Sequence, residues 1–209
     1  PLTLHPVLRR VYSARPIVGP EDLALRQDQL LPVSTLDGAE SAADLLASAL
    51  RTRRRVLIVG DFDADGATST ALMMRQFTAL GFEQPDFLVP DRFRFGYGLT
   101  PEIVRVAVQM QPSLIVTVDN GISSLEGVAE AARSGIPVLV TDHHLPGRSL
   151  PDAAAIINPN LSGERFASKA LAGVGVAFYL MAALTRRMRE TGMVPAGSET
   201  NPADLLDLV

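Results

Sequence analysis

The chain has 209 residues, 47% of them apolar and few aromatic, and a formal net charge of −4, which suits one α/β domain with an aliphatic core and a small attached lobe. The absence of cysteine excludes a disulfide framework and a thiolate metal site, and with no membrane-length apolar run and no apolar leader at the first residues, a cytoplasmic protein with no membrane partner is expected. The acidic balance argues only mildly against nucleic acid, because divalent cations would cancel much of it and the arginines are clustered.

Residues 1 to about 50 read as a helical N-terminal lobe. Leu8, Val11 and Tyr12 are spaced for one helical face, and Ala42 to Leu50 forms a second short amphipathic helix after Asp37-Gly38. The run Arg51-Thr-Arg53-Arg54-Arg55 that follows is either a solvated edge or one that attracts phosphate.

Val56 to Val59 is a buried strand, and it ends in Gly60-Asp61-Phe62-Asp63-Ala64-Asp65-Gly66. Three carboxylates within five residues at a strand tip repel one another, so a cation should compensate, and oxygen ligands suit a divalent metal. An EF-hand loop would need Glu where Leu72 stands, and would follow a helix. A phosphatase of the haloacid-dehalogenase type would need Thr where Ala67 stands. A metal-dependent phosphoesterase with further ligands on later strands is the third reading, and the remaining chain decides for it.

Ala67 to Leu80 reads as a helix closed by Gly81, so the acidic turn sits at a helix N-terminus, which favours anions such as phosphate. Asp86 to Pro90 is a second strand. The loop from Asp91 to Gly98 carries Arg92, Arg94, Phe93, Phe95 and Tyr97; it is either a grip on a single nucleic-acid strand or a lid packed by its own aromatics. Thr100-Pro101 starts a helix running to about Met110.

Leu114 to Val118 is the clearest strand, and it delivers Asp119-Asn120-Gly121. A helix from about Ser124 to Ser134 closes at Gly135, and the strand Ile136 to Val140 ends in Thr141-Asp142-His143-His144. A short strand, Ala155 to Ile157, precedes Asn158-Pro159-Asn160. Ser168 is a plausible cap for an apolar helix running to about Arg189; Gly173 and Gly175 permit close approach of a backbone or phosphate, and Lys169 is the only lysine. Met193 to Thr200 reads as a loop, and a further helix starts at Pro202. Strands alternating with helices imply a doubly wound, mainly parallel sheet whose ligands gather at the carboxyl ends. Three separate stretches thereby place Asp63, Asp65, Asp119 and His143 along one edge.

Carboxylates with one histidine suit Mn²⁺ or Mg²⁺, manganese being favoured by the imidazole. A pair of such ions about 4 Å apart serves phosphodiester hydrolysis, with Asp119 bridging, Asp142 orienting a ligand histidine, and His144 beside the scissile phosphate or assisting proton transfer.

Asp142-His143-His144 is the tripeptide that names the DHH phosphoesterase superfamily. The strings Val59 to Ser69, Val116 to Ser124, Thr141 to Gly147, Ile157 to Asn160 and Ser168 to Tyr179 resemble its bacterial members specific for single-stranded DNA, over most of the chain from about Leu8. The resemblance implies a 5′→3′ exonuclease that degrades single-stranded DNA to 5′-mononucleotides in recombination and repair. It implies Asp63, Asp65, Asp119 and His143 as metal ligands, with Asp61, Asp142 and His144 close by and two ions in the complete enzyme. Arg92, Arg94, Tyr97, Asn120, Ser168, Lys169, Gly173 and Gly175 are the candidate substrate contacts. A single-strand-binding protein and a helicase are the partners the family suggests. Two departures matter. Many members have His where Val59 stands, and the family's fourth motif supplies an Asp just beyond a segment resembling Leu205 to Val209. The expectation is therefore an N-terminal lobe over 1–50 and a phosphoesterase domain over 51–209 that lacks its last motif, its second associated domain and its OB-like domain, with weak metal binding and little activity alone. The rivals are a phosphodiesterase acting on cyclic dinucleotides or short oligonucleotides, and a non-catalytic binding module.

Overall fold

The structure is a computed structural model that describes residues 4–15, 17, 19–23, 26–194 and 200–209. The chain divides into two units, residues 1–31 and residues 32–209. The first contains helix α1 (Pro6–Ser13), begun by Pro6 at its first turn and by His5, whose ring accepts from the Val7 N–H; 3-10 turns at Pro20–Leu23 and Gln27–Gln29 follow.

The second unit opens with a 3-10 turn, Val33–Thr35, and α2 (Ala39–Arg51). Then come β1 (Val56–Gly60), α3 (Ala64–Leu80), β2 (Asp86–Leu88), the single turn α4 (Arg92–Phe95), α5 (Pro101–Gln109), β3 (Leu114–Val118), α6 (Leu125–Arg133), β4 (Val138–Thr141), β5 (Ala155–Ile157) and α7 (Gly173–Glu190). All strand pairs are parallel, in the order β2-β1-β3-β4-β5, so the doubly wound α/β architecture expected from the alternation is present. β1 and β3 are buried along their whole length because helices cover both faces. Leu57, Val59, Ile115, Val138 and Val140 meet Ile103, Val104 and Ala107 of α5 and Val128 and Ala131 of α6 in one apolar cluster. On the other face α3 and α7 pack on the sheet and on each other, and α2 packs on α7.

That last contact moves a boundary. Ala42, Ala43 and Leu46 of α2 are fully buried, so this helix belongs to the sheet unit, which begins at Pro32, not at residue 51; its apolar stripe has no other place to be buried. The residue pattern also misjudged several ends. α3 begins at Ala64 because the Asp63 carboxylate accepts from the Gly66 N–H as N-cap, bringing the acidic turn inside the first helical turn. β2 stops at Leu88 and β4 runs Val138–Thr141. α7 begins at Gly173 with no side-chain cap, so Ser168 does not cap this helix. Pro202–Leu205 forms a 3-10 turn in place of the expected helix, and most of the expected 193–200 loop lies outside the described residues. Among the described residues no helix is long and apolar enough to cross a membrane.

Candidate metal centre

The register of the sheet builds the site. Gly60 pairs with Val118, Val118 with Thr141, and Thr141 with Ile157. One further residue along each strand gives Asp61, Asp119, Asp142 and Asn158, four polar residues level at the carboxyl edge. Parallel strands in this register leave little choice: polar side chains that follow apolar strands must emerge together.

Asp119 sits at the centre. Its backbone is left-handed (φ 61°), a conformation that costs a non-glycine residue of order 1 kcal/mol or more, and its side chain is 2% exposed. Its Oδ1 is buried with no hydrogen-bond partner although His143 Nε2 lies 3.1 Å away; the two atoms are close but not aligned as donor and acceptor. Burial, then the carboxylates of Asp65, Asp63, Asp142 and Asp61, push the Asp119 carboxyl up to about 8. A buried carboxylate without a donor, facing a ring nitrogen and surrounded by like charge, suits a cation between these atoms. The donor set fits: Asp61, Asp63 and Asp119 form one group of oxygen ligands within 4.8 Å of one another, and Asp119, His143 and His144 form a second group that shares Asp119.

The neighbouring acids are each held. Asp65 turns both oxygens to the N-terminus of α7, accepting from Gly173 N–H and Val174 N–H at 2.7 Å, where the helix dipole favours negative charge; its Oδ2 lies 3.7 Å from His143 Nε2. Gly173 is required there, since a Cβ would run into the Asp119 carboxylate. Asp61 is paired with Arg92 at 3.0 Å, whose guanidinium also lies 4.0 Å over the Phe62 ring. Arg92 thus already meets one acid of the cluster.

Asp142 corrects one expectation. Its Oδ1 accepts from His144 Nδ1 at 2.7 Å and from the backbone N–H groups of His143 and His144, while Oδ2 accepts from Ile122 N–H. The ring it orients is that of His144, not of the ligand candidate His143. Tyr97 reaches the same histidine: its hydroxyl donates to the Asp119 carbonyl at 3.2 Å and lies 3.2 Å from His144 Nδ1. Gly96 and Gly98, both left-handed (φ 79° and 75°), turn the loop so that this tyrosine points back over the strand ends. Burial, then the carboxylates of Asp142, Asp61 and Asp119, raise the phenol well above its usual range, so it stays a donor.

Several predicted substrate contacts fall elsewhere. Asn120 is buried and donates to the carbonyls of Val59 and Val118, lacing β1 to β3; a strand tip in the interior needs those carbonyls satisfied. Val59 itself is part of the apolar cluster. Lys169 donates to the carbonyls of Pro159 and Glu164 at 2.8 and 2.9 Å, Ser168 lies on the same loop, and Gly175 faces Leu171. Arg94 stacks on Phe95, 4.9 Å from the ring centroid. Arg92, Tyr97 and Gly173 remain at the site. The residue pattern missed the part played by Asn158 and Asn160, whose side-chain amides donate to the carbonyls of His144 and His143 at 2.9 and 2.6 Å. An Asn-Pro-Asn turn directly after a strand was the available signal.

Residues 55–209 match the model of the DHH family, N-terminal domain. The single-stranded-DNA-specific exonuclease RecJ of Salmonella typhimurium is 53% identical over 211 aligned residues, covering 100% of this chain and 37% of its own length. A crystal structure of exonuclease RecJ bound to manganese superposes with a TM-score of 0.71 at 35% identity, covering 84% of this chain and 43% of that one. The crystal structure of RecJ from Thermus thermophilus in complex with Mn²⁺ gives 0.68 at 34% identity, covering 85% and 24%. The chain therefore spans well under half the length of these relatives. With the family model covering most of its length and the acids and histidines converging at one sheet edge, this chain belongs to the DHH family.

Proposed function

We propose that this domain is the catalytic core of a metal-dependent exonuclease that hydrolyses single-stranded DNA from the 5′ end to 5′-mononucleotides. The observation that carries it is the buried Asp119 carboxylate, held in a strained backbone between two groups of ligand atoms that share it. Asp61, Asp63 and Asp119 on one side, and Asp119 and His143 with Asp65 beside them on the other, would hold Mn²⁺ or Mg²⁺. When bound, such ions supply an activated water and charge stabilisation on the phosphodiester. The chain's own residues do the rest. The α7 N-terminus and the Asn120 amide keep the acids in place. Asp142 and Tyr97 hold His144 at the edge, within reach of a phosphate oxygen. Arg92 is positioned to exchange Asp61 for a phosphate, and the rings of Phe62 and Phe93, half and fully exposed, offer faces to bases.

The names of the relatives support single-stranded DNA as the substrate, and a cytoplasmic location belongs to the same proposal. A single-strand-binding protein and a helicase belong to the proposal as partners, tested by co-purification with the full-length gene product. The deciding experiment is degradation of single-stranded DNA labelled at either end by the full-length gene product with Mn²⁺, beside Asp119→Ala. Mononucleotides from the 5′ end that vanish in the variant support the reading. Cleavage confined to dinucleotides or cyclic dinucleotides, or DNA binding without cleavage, overturns it.

A further inference from the structure

His143 and His144 lie outside regular secondary structure, yet their backbone is fully engaged. Both N–H groups donate to Asp142 Oδ1. Both carbonyls accept from side-chain amides, His144 from Asn158 Nδ2 at 2.9 Å and His143 from Asn160 Nδ2 at 2.6 Å. The orientation of each amide is dictated: a carbonyl only accepts, and Asn158 Oδ1 is already taken by the Asn160 N–H at 2.8 Å. Asn158 is fully buried, one residue beyond β5 and level with Asp142. The turn between the two asparagines is fastened from behind, because Lys169 Nζ donates to the Pro159 carbonyl and, across the loop, to that of Glu164.

From this we infer that Asn158-Pro159-Asn160 is a two-pronged latch that positions the histidine pair, and that Lys169 acts through the latch and not on the substrate. The inference rests on the metal-centre reading above. The physical reason is register. A strand end in a parallel sheet places Cα atoms but leaves the next peptides free to rotate, and a rotation of either peptide would swing the ring of His143 away from Asp119 and Asp65. Alternate amides around a rigid proline meet the two successive carbonyls that Asp142 cannot reach. These are positioning residues: partners behind the ligands that fix ligand orientation, whose loss typically costs about 10- to 100-fold in metal affinity or activity.

The test uses the full-length gene product, with Mn²⁺ affinity measured by electron paramagnetic resonance in the absence of DNA, followed by kcat, KM and the salt dependence of KM on single-stranded DNA. Asn160→Ala and Lys169→Met are expected to weaken Mn²⁺ binding by about 10-fold or more and to lower kcat, leaving KM and its salt slope unchanged. Lys169→Arg, which can still donate to both carbonyls, is expected to restore most of the affinity. Should Asn160→Ala lose its native circular dichroism, the more exposed Lys169→Met decides. Unchanged Mn²⁺ affinity in Lys169→Met, with a raised KM and a salt slope smaller by about one, would mean a phosphate contact and overturn the latch. A wild-type protein that binds no Mn²⁺ overturns instead the metal-centre reading itself.

Discussion

The two ends of the parallel sheet are built from similar material and treated differently. At the amino end, Arg53 and Arg54 lie against the carboxyl-terminal turns of α2 and α3, with Arg55 next in the chain. Charges are answered there: Arg55 pairs with Asp86, Arg53 with Glu83, and helix C-termini favour cations in any case. At the carboxyl end, Asp61, Asp63, Asp65, Asp119 and Asp142 crowd together with one arginine among them. One of these acids is in a left-handed backbone with a buried oxygen unpartnered. A cluster whose charges are satisfied locally is ordinary surface. One that stays unsatisfied in spite of burial carries a cost that folding alone does not recover, and that cost marks the functional end.

The contrast breaks hardest at Asp119. In the full-length gene product, Asp119→Ala should lower the rate of Mn²⁺-dependent cleavage at least about a thousandfold, since metal-assisted charge stabilisation is worth several kcal/mol; a variant retaining a tenth of the activity would sink the shared-ligand role. Gly173→Ala forces a methyl group against the same carboxylate and should weaken Mn²⁺ binding by about 10-fold or more, read by titration without DNA. Mn²⁺ at a hundred times its Kd should raise the melting temperature by about 5–10 °C, an effect absent in Asp119→Ala.

The pH dependence is subtler. With the folded Asp119 carboxyl at about 8 and an ordinary value near 4 when unfolded, folding favours the protonated form. Stability from this group is therefore present below about pH 4 and lost as pH rises through about 8. In chelator, the melting temperature should decline across pH 5 to 8.5, and Asp119→Asn should decline less. Smallest of all, Arg53→Ala with Arg54→Ala at the other end should change stability by under about 1 kcal/mol and leave cleavage unaltered. A large drop in DNA affinity there would show that the arginine run does more than cap helices.

Two helix ends were readable in the residue pattern because their capping is local chemistry. Thr100 before Pro101 caps α5 as expected, and Gly81 closes α3 with the Phe82 N–H bonded back to Phe77 and their rings stacked 4.4 Å apart. The acidic strand ends were readable for the same reason, because an apolar run followed by carboxylates has few other uses. The carbonyl partners of Asn120 and Lys169 were not readable, because a polar residue beside a motif looks alike whether it faces ligand or a neighbouring carbonyl. Only the packed chain says which carbonyls need a donor.

The order of apolar runs, turns and acids by itself determined the parallel α/β sheet and brought Asp63, Asp65, Asp119 and His143 to one edge, since period and strand-end chemistry are properties of neighbouring residues. Tertiary structure alone decided that α2 belongs to the sheet unit, that Asp142 orients His144, that Arg92 meets Asp61, and that Asn158 and Asn160 grip the histidine pair. Each of these depends on strand register and on which buried carbonyl lacks a partner, quantities that exist only once distant segments have been laid side by side.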